Sequence, residues 1–479
     1  MPLLQLNFLH RFAGRIVVLA ANMHSIHFCA SFSHHYFLLA HLTLCTVYKW
    51  SLEGTFKSNM AHPPRIWGMV ALLCMDMLFL FSTHYVRQKA YNLFLSTHIF
   101  SLILILPATY LHKRSTLPYI LACVALYLFD RLARLIKSRV TRAFVRPLPE
   151  MDMTRVEIPS INAGWRAGQH VRLRVLSLKM GWLGWMEDHP FTIASVSQSG
   201  PDGMVLMCKR AGGWTRKLYD IAKTSGYSQV EEGVGRDMKV VIEGPYGGPG
   251  HTVFSSFSAA VFVAGGSGIT YALAAMQDLV LKDLAGQSRV KVIELVWTVP
   301  DPSCLVPLLP TLTALIHQSV FTPLRISVFY TRAPTGIQPA FFAHSDAPAV
   351  VASTPTPRMG RKLGRMPSGR RPAPLHLGSE STLPQVHDKS QVSSPAYFPP
   401  GLTLAPGRPR LSKIFESAVQ RAVSLGAGVK DDERITGMVV GVCGPVGLAD
   451  DVAQAVSGVD PTRRDQVGGI EICEEVFGW

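Results

Sequence analysis

The first 140 residues or so carry long apolar runs; the remainder carries short ones that alternate with polar residues. Three runs, 66–82, 93–111 and 118–135, each approach the roughly 20 residues that cross a bilayer as a helix. A fourth extends from Phe8 to Phe28, with Arg11 and Arg15 near its start and no signal-peptide cleavage site ahead of it. The stretch 28–48 holds His34, His35 and His41, and reads either as a span or as an external or re-entrant loop. Basic segments at 84–92 and 131–146 face the cytoplasm by the positive-inside rule. The runs at 8–28 and 93–111 then lead outward, and those at 66–82 and 118–135 lead back. Asp76 is costly in lipid and is expected to face the bundle.

Beyond residue 140 the period shortens. "TRVEIPS", "GQHVRLRVLSL" (168–178), "EDHPFTIASVSQ" (187–198) and "KVVIEGPYGG" (239–248) read as half-buried strands. "MVLMCKRAGGWTRKLYDIA" reads as a strand, a Gly212-Gly213 turn and a helix from about Thr215, whose first amides favour a phosphate. So many short strands predict a small antiparallel barrel. "AAVFVAGGSGITYALAAMQDLV" (259–280) then couples a buried strand to a helix through Gly265, Gly266 and Gly268. Such a turn suits a phosphate, although a plain strand-to-helix connection has the same look. Buried strands at 289–299 and 323–333, and a second strand, Gly-Pro turn and helix at 434–456, predict a parallel sheet with helices on both faces.

An insertion at about 334–410 holds fourteen of the thirty-three prolines and a run, 358–371, with six basic residues and no acid. Such a composition is expected to be disordered and mainly solvated. Across the chain 48% of residues are hydrophobic and only 16% charged, against about 25% in soluble domains, so part of the chain is expected in lipid. The net charge of +15 then points to an anionic membrane face, since no nucleic-acid motif is present. Eight cysteines without CxxC spacing read as buried thiols or isolated site residues.

Histidines add chemistry to the apolar third. His10 and His24 are fourteen residues apart, and so are His98 and His112. Fourteen residues are close to four helical turns, so each pair lies near one helix face, about 21 Å apart along the axis. Two outward-running helices side by side would set His10 near His98 and His24 near His112. Each cross-helix pair could clamp one haem through both axial positions. His27, His34, His35, His41, His62 and His84 lack such partners and read as loop or interfacial residues.

These histidine pairs, with "HPFTIAS", "GGWT", "AGGSGIT", "VCGP" and a terminal "EEVFGW", resemble the fungal plasma-membrane ferric reductases of the ferric reductase and NADPH oxidase superfamily. The resemblance implies an α-helical transmembrane haem domain at 1–138, an antiparallel β-barrel FAD-binding domain at 139–250, and an α/β parallel-sheet NAD(P)-binding domain at 251–479. It implies that His10, His24, His98 and His112 ligate two haems b. It sets His189, Pro190, Phe191 and Thr192 along the FAD ring, and Gly212, Gly213, Trp214 and Thr215 over its pyrophosphate. Gly265, Gly266, Ser267, Gly268, Ile269 and Thr270 would hold NADPH phosphates. Cys443, Gly444 and Pro445 would lie beside the nicotinamide, and Trp479 would cover the flavin until the nicotinamide displaces it. Pro300 stands where the family often has arginine, and Arg332 is the substitute contact for the extra phosphate of NADPH. Fewer residues precede His10 than in related chains, so the membrane domain reads as N-terminally shortened.

The implied activity is reduction of extracellular ferric or cupric chelates by cytosolic NADPH, with a lipid membrane, no nucleic acid, and partner proteins of iron uptake. The alternatives are a superoxide-generating NADPH oxidase and a non-catalytic membrane remnant. The absence of calcium-binding hands favours metal reduction over the oxidase.

Overall fold

The computed structural model describes residues 2–30, 54, 57–58, 61–181, 184–198, 200–224, 235–332, 398–426 and 435–476. Trp479, the stretch 31–48 and most of the expected insertion lie outside the described residues.

Four long helices open the chain: α1 (Pro2–Ala30), α2 (Pro63–Phe81), α4 (Tyr91–His112) and α5 (Leu117–Ile136), with the short α3 (His84–Lys89) between α2 and α4. Their places match the four apolar runs. Two of them, α2 and α4, combine the length and apolarity of a membrane span. Helices α1 and α5 are long enough, but charged side chains, Arg11 and Arg15 in one and Asp130, Arg131 and Arg134 in the other, interrupt their apolar character. Asp76 of α2 faces the bundle as expected, accepting from Asn22 Nδ2 of α1 at 3.4 Å, and Asn22 is buried. Paired polar groups of this kind avoid the cost of an unpartnered one in a low-dielectric surrounding.

Helix α5 passes straight into β1 (Ser138–Leu148), with only Lys137 between. The charged 138–146 stretch is thus a strand, which its reading as a basic flank had hidden. With β2 (Met153–Ile158), β3 (Gln169–Val175), β4 (His189–Thr192), β5 (Met204–Lys209) and β6 (Arg236–Gly247) it forms an antiparallel sheet of order β4-β3-β6-β1-β2-β5. A bridge between Ile193 and Leu206 brings the two edges together, so the sheet curls into a nearly closed barrel. Its interior is apolar: Val145, Val156, Val171, Leu173, Leu206 and Val240 are all 0% exposed. Helix α6 (Gly213–Lys223) plugs the barrel with Trp214, Leu218 and Ile221.

The second sheet is parallel throughout, of order β10-β9-β8-β7-β11-β12. Its strands are β7 (Ala259–Gly265), β8 (Val292–Val299), β9 (Leu324–Tyr330), β10 (Leu402–Pro406), β11 (Met438–Gly444) and β12 (Ile470–Val476). Alternate residues of β7 serve opposite faces. Ala260, Phe262 and Ala264 pack under α7 (Ile269–Leu284) and α8 (Leu309–Gln318). Ala259, Val261 and Val263 pack under α9 (Leu411–Gly426) and α10 (Val446–Ser457). The expected insertion ends earlier than 410, because Leu402–Pro406 pairs with β9 as an edge strand. Met151, Met153, Val205 and Met207 of the barrel join the same apolar cluster as Phe262 and Leu295, and Cys304 donates to the Glu150 carbonyl at 3.2 Å. The two sheets thus share a packed boundary.

Phe415 of α9 is 0% exposed in the second face of this core. Phe415→Ala is expected to remove about 3–5 kcal/mol of stability, read as a lowered urea midpoint of the C-terminal part.

Candidate functional site

Three places bring the sequence-selected residues together. The first lies in the helical domain. His10 of α1 and His98 of α4 face each other with ring centres 6.3 Å apart and planes at 65°. An iron held about 2 Å from one nitrogen of each ring separates two imidazole centres by roughly 6 Å, so this pair fits axial ligation of one haem. His98 Nδ1 lies 3.2 Å from Ser82 Oγ, and no hydrogen bond of Nε2 is found among the described residues. His112 Nδ1 donates to the Pro64 carbonyl at 2.8 Å, which fixes the ring and turns Nε2 away from that bond. Sequence reasoning missed the device that seats His112. A Cβ on Gly68 of α2 would come within 2.6 Å of His112 Nδ1, so the ring rests in the space that glycine leaves. His24 is exposed on α1, and no contact of its ring with His112 is among those described.

The second place is the edge of the barrel. His189, Pro190, Phe191 and Thr192 form β4, with Pro190 opposite Arg172 and Thr192 opposite His170 on β3. Trp214 lies behind this strand rather than in the open turn. It is 6% exposed, its ring centre is 4.5 Å from His189 and 6.1 Å from Phe191, and Nε1 donates to the Gly184 carbonyl at 3.0 Å. The first intrahelical bond of α6 is from Arg216 N to the Gly212 carbonyl, so the amides of Gly213, Trp214 and Thr215 precede it. Thr215 Oγ1 accepts from the Ala211 and Gly212 amides at 3.1 and 3.0 Å. A Cβ on Gly212 or Gly213 would meet nothing within 4 Å, so this helix start opens onto free space. Arg172 pairs with Asp188, and the buried Nε of Arg174 has no hydrogen-bond partner among the described residues. Burial pushes the Asp188 carboxyl up, but the Arg172 hydrogen bond and the charges of Arg172 and Arg174 outweigh it and hold it below its ordinary value. Basic groups and free amides beside an apolar strand suit a pyrophosphate attached to a flat ring system.

The third place is the switch point of the parallel sheet, where β7 lies between β8 and β11 and their carboxyl ends diverge. Gly266 has φ +52°, a left-handed value that favours glycine. A Cβ on Gly268 would lie 2.0 Å from the Cys443 carbonyl oxygen, so the two turns touch backbone to backbone. Thr270 Oγ1 donates to the Ser267 carbonyl at 3.1 Å and closes the first turn before Ile269 begins α7. Gly444 and Pro445 flank Gly265 from β11: a Cβ on Gly265 would approach Pro445 to 3.1 Å. Two residues beyond the glycine motif also belong here. Trp297 is fully buried and its Nε1 donates to the Gly266 carbonyl at 3.0 Å. Thr298 pairs with Gly265 in the ladder, and its buried hydroxyl has no partner among the described residues. An unpartnered hydroxyl beside a glycine turn fits a polar ligand such as a dinucleotide. In sequence both read only as members of a buried strand.

Cys443 is 1% exposed, and burial with the nearby Glu475 charge pushes its thiol up, so it is a neutral thiol at physiological pH. Glu475 stands opposite Cys443 in the β11–β12 ladder, and burial raises its carboxyl to about 7.

The chain matches three families in order. Residues 1–109 match the ferric reductase like transmembrane component, 138–250 an FAD-binding domain, and 257–457 the ferric reductase NAD binding domain. Among relatives, the probable ferric reduction oxidase 1 of Arabidopsis thaliana is 26% identical over 336 residues, 67% of this chain and 43% of that one. Ferric reductase transmembrane component 1 of Schizosaccharomyces pombe is 26% identical over 305 residues, 55% of this chain and 50% of the other. Dual oxidase 2 of Rattus norvegicus is 29% identical over 244 residues, 49% of this chain and 15% of its own length. The chain thus spans half or less of the length of these relatives. The solved structure of Amycolatopsis cytochrome P450 reductase GcoB is similar over 71% of both chains, at 15% identity and a TM-score of 0.37.

A helical membrane domain joined to FAD- and NAD-binding domains defines the class of membrane flavoprotein oxidoreductases. Within that class its helical and NAD-binding parts match ferric reductase families, over residues 1–109 and 257–457.

Two tests follow from the switch point. Gly268→Ala forces the two turns apart and is expected to weaken binding of a nicotinamide nucleotide at least about tenfold, with FAD content unchanged. The raised Glu475 carboxyl means that the folded protein keeps a proton the unfolded chain releases above about pH 4.5. Stability is therefore expected to fall as pH rises from about 4.5 to about 7, and Glu475→Gln to flatten that slope in denaturation curves across the range.

Proposed function

We propose that the protein passes electrons from cytosolic NADPH through FAD and two haems b to ferric or cupric chelates on the outer side of a plasma membrane, in support of iron and copper uptake. The observation that carries this reading is the 6.3 Å spacing of the His10 and His98 rings on two helices. The three units have boundaries near 138 and 250, and partner proteins of iron uptake would take up the reduced metal.

The residues have distinct tasks. Gly265 to Thr270 and the Thr298 hydroxyl hold the nucleotide at the carboxyl ends of β7 and β8. Arg332, whose amide bonds the Pro300 carbonyl at 3.0 Å, stands beside β8 as the contact for the extra phosphate, which supports NADPH over NADH. Gly444 and Pro445 shape the nicotinamide bed, and Cys443 presents an uncharged thiol beside it. The β4 residues His189 to Thr192 bear on the flavin, with Trp214 bracing them from behind; the Gly212 to Thr215 turn takes the pyrophosphate. Trp479 caps the flavin until nicotinamide arrives. His10 with His98, and His24 with His112, would hold the two haems. Bound FAD and haem supply the conversion of a two-electron hydride into single electrons that can cross a layer closed to ions.

The relationship to dual oxidase 2 favours a second reading, in which oxygen is the acceptor and superoxide the product. Purified protein in lipid, given NADPH, is expected to show haem b reduction followed by faster reoxidation with ferric citrate than with oxygen at matched levels. The reverse order selects the oxidase, and a spectrum without haem bands after dithionite selects a non-catalytic remnant. His98→Ala and His112→Ala are each expected to lose one haem per chain by pyridine haemochrome assay; unchanged haem content would refute the ligand assignment.

A further inference from the structure

The proposed route leaves the barrel for the membrane helices, and these two parts meet at a dense set of contacts around Glu243. Arg134, in the last turn of α5, places Nη1 3.1 Å from Glu243 Oε1 and Nε 3.0 Å from Asp130 Oδ2. The Tyr246 hydroxyl donates to the same Glu243 oxygen at 2.8 Å. The Lys137 ammonium lies 5.3 Å from the centre of the Tyr246 ring, within cation–π range. Ser138 Oγ donates to the Arg134 carbonyl at 2.9 Å, and the Gly244 amide donates to the Lys137 carbonyl at 3.4 Å. Helix end, strand start and β6 are therefore tied within one turn.

Glu243 is 8% exposed, so its carboxylate has left most of its water behind and depends on Arg134 and Tyr246. Tyr246 belongs to the barrel, whereas Arg134 comes from α5 of the helical domain. The barrel could satisfy an uncharged group at this position by itself. A buried carboxylate there is paired with the cation that α5 brings, since Arg172, its neighbour on β3 in the ladder, is engaged by Asp188. From Tyr246 the contacts continue toward the site: its ring centre is 6.1 Å from that of His170, and His170 pairs with Thr192 of β4.

We propose that Arg134, Glu243 and Tyr246 form a rigid coupling that sets the position of the flavin strand relative to the membrane helices. They are positioning residues for the step that takes single electrons out of the barrel, and do not act in hydride transfer. The proposal rests on the electron route proposed above. Electron transfer between separated groups falls steeply with distance, so a loosened joint slows that step and spares the chemistry at the nicotinamide. A group that merely held the barrel together would affect both.

The test uses the full chain in lipid nanodiscs with FAD bound. Arg134→Ala and Glu243→Gln are each measured by anaerobic stopped flow and by hydrogen exchange over residues 134–141 and 241–247. Flavin bleaching by NADPH is expected to stay within about twofold of wild type, while the following haem reduction slows by clearly more than that. Exchange at the joint is expected to rise in both variants while that of β2 and β5 is unchanged, and Arg134→Lys to recover most of the rate. Equal loss in both kinetic phases, or unchanged haem reduction with a loosened joint, overturns the proposal. If wild type bleaches its flavin but reduces no haem, the electron route fails. Exchange then still decides the coupling, because unchanged protection in Arg134→Ala sinks it independently.

Discussion

The absence of slack between α5 and β1 is the constraint on which the arrangement depends. Only Lys137 separates the last helical residue from the first strand residue, and Ser138 already pairs with Glu243. A strand that begins in register at once cannot swing, because a one-residue slip would turn its apolar side chains away from the barrel core. Whatever fixes the orientation of the helix therefore also fixes the barrel, and with it β4. The shared apolar boundary around Met153, Val205 and Phe262 extends that order to the parallel sheet.

The three candidate places answer one physical problem by different means. In the helical domain polar groups are paired across helices, as with Asn22 and Asp76, or tied at one ring nitrogen, as with His98 and His112. At the barrel edge, basic side chains and free amides collect near an apolar strand. At the switch point the Trp297 indole and the Thr298 hydroxyl lie beside the glycine turn, and close backbone approach shapes the space. Gly268 against the Cys443 carbonyl illustrates this: the site exists because two turns omit their Cβ atoms.

Cys443 and Glu475 show how burial sets chemistry there. Both lose water on folding, and both are pushed toward their neutral forms. Charged side chains are found instead on β3 at the barrel edge, where Arg172 and Arg174 lie.

Much of this was legible in the residues themselves. Apolar runs set the four long helices, since length and hydrophobicity need no partner to be read. Period-two patterns marked most of the strands, and glycine turns marked two helix starts, because those signals are local. Strand β1 was hidden by its arginines, and β10 by the prolines around it; both are strands only because a neighbour supplies a ladder. Trp214 looked like part of an open turn, and folding drew its ring beneath His189 and Phe191. Thr298, Gly68 and the Arg134–Glu243–Tyr246 joint carry no local signature. Their roles arise from contacts between residues far apart in the chain, and such contacts exist only once packing has chosen which faces meet.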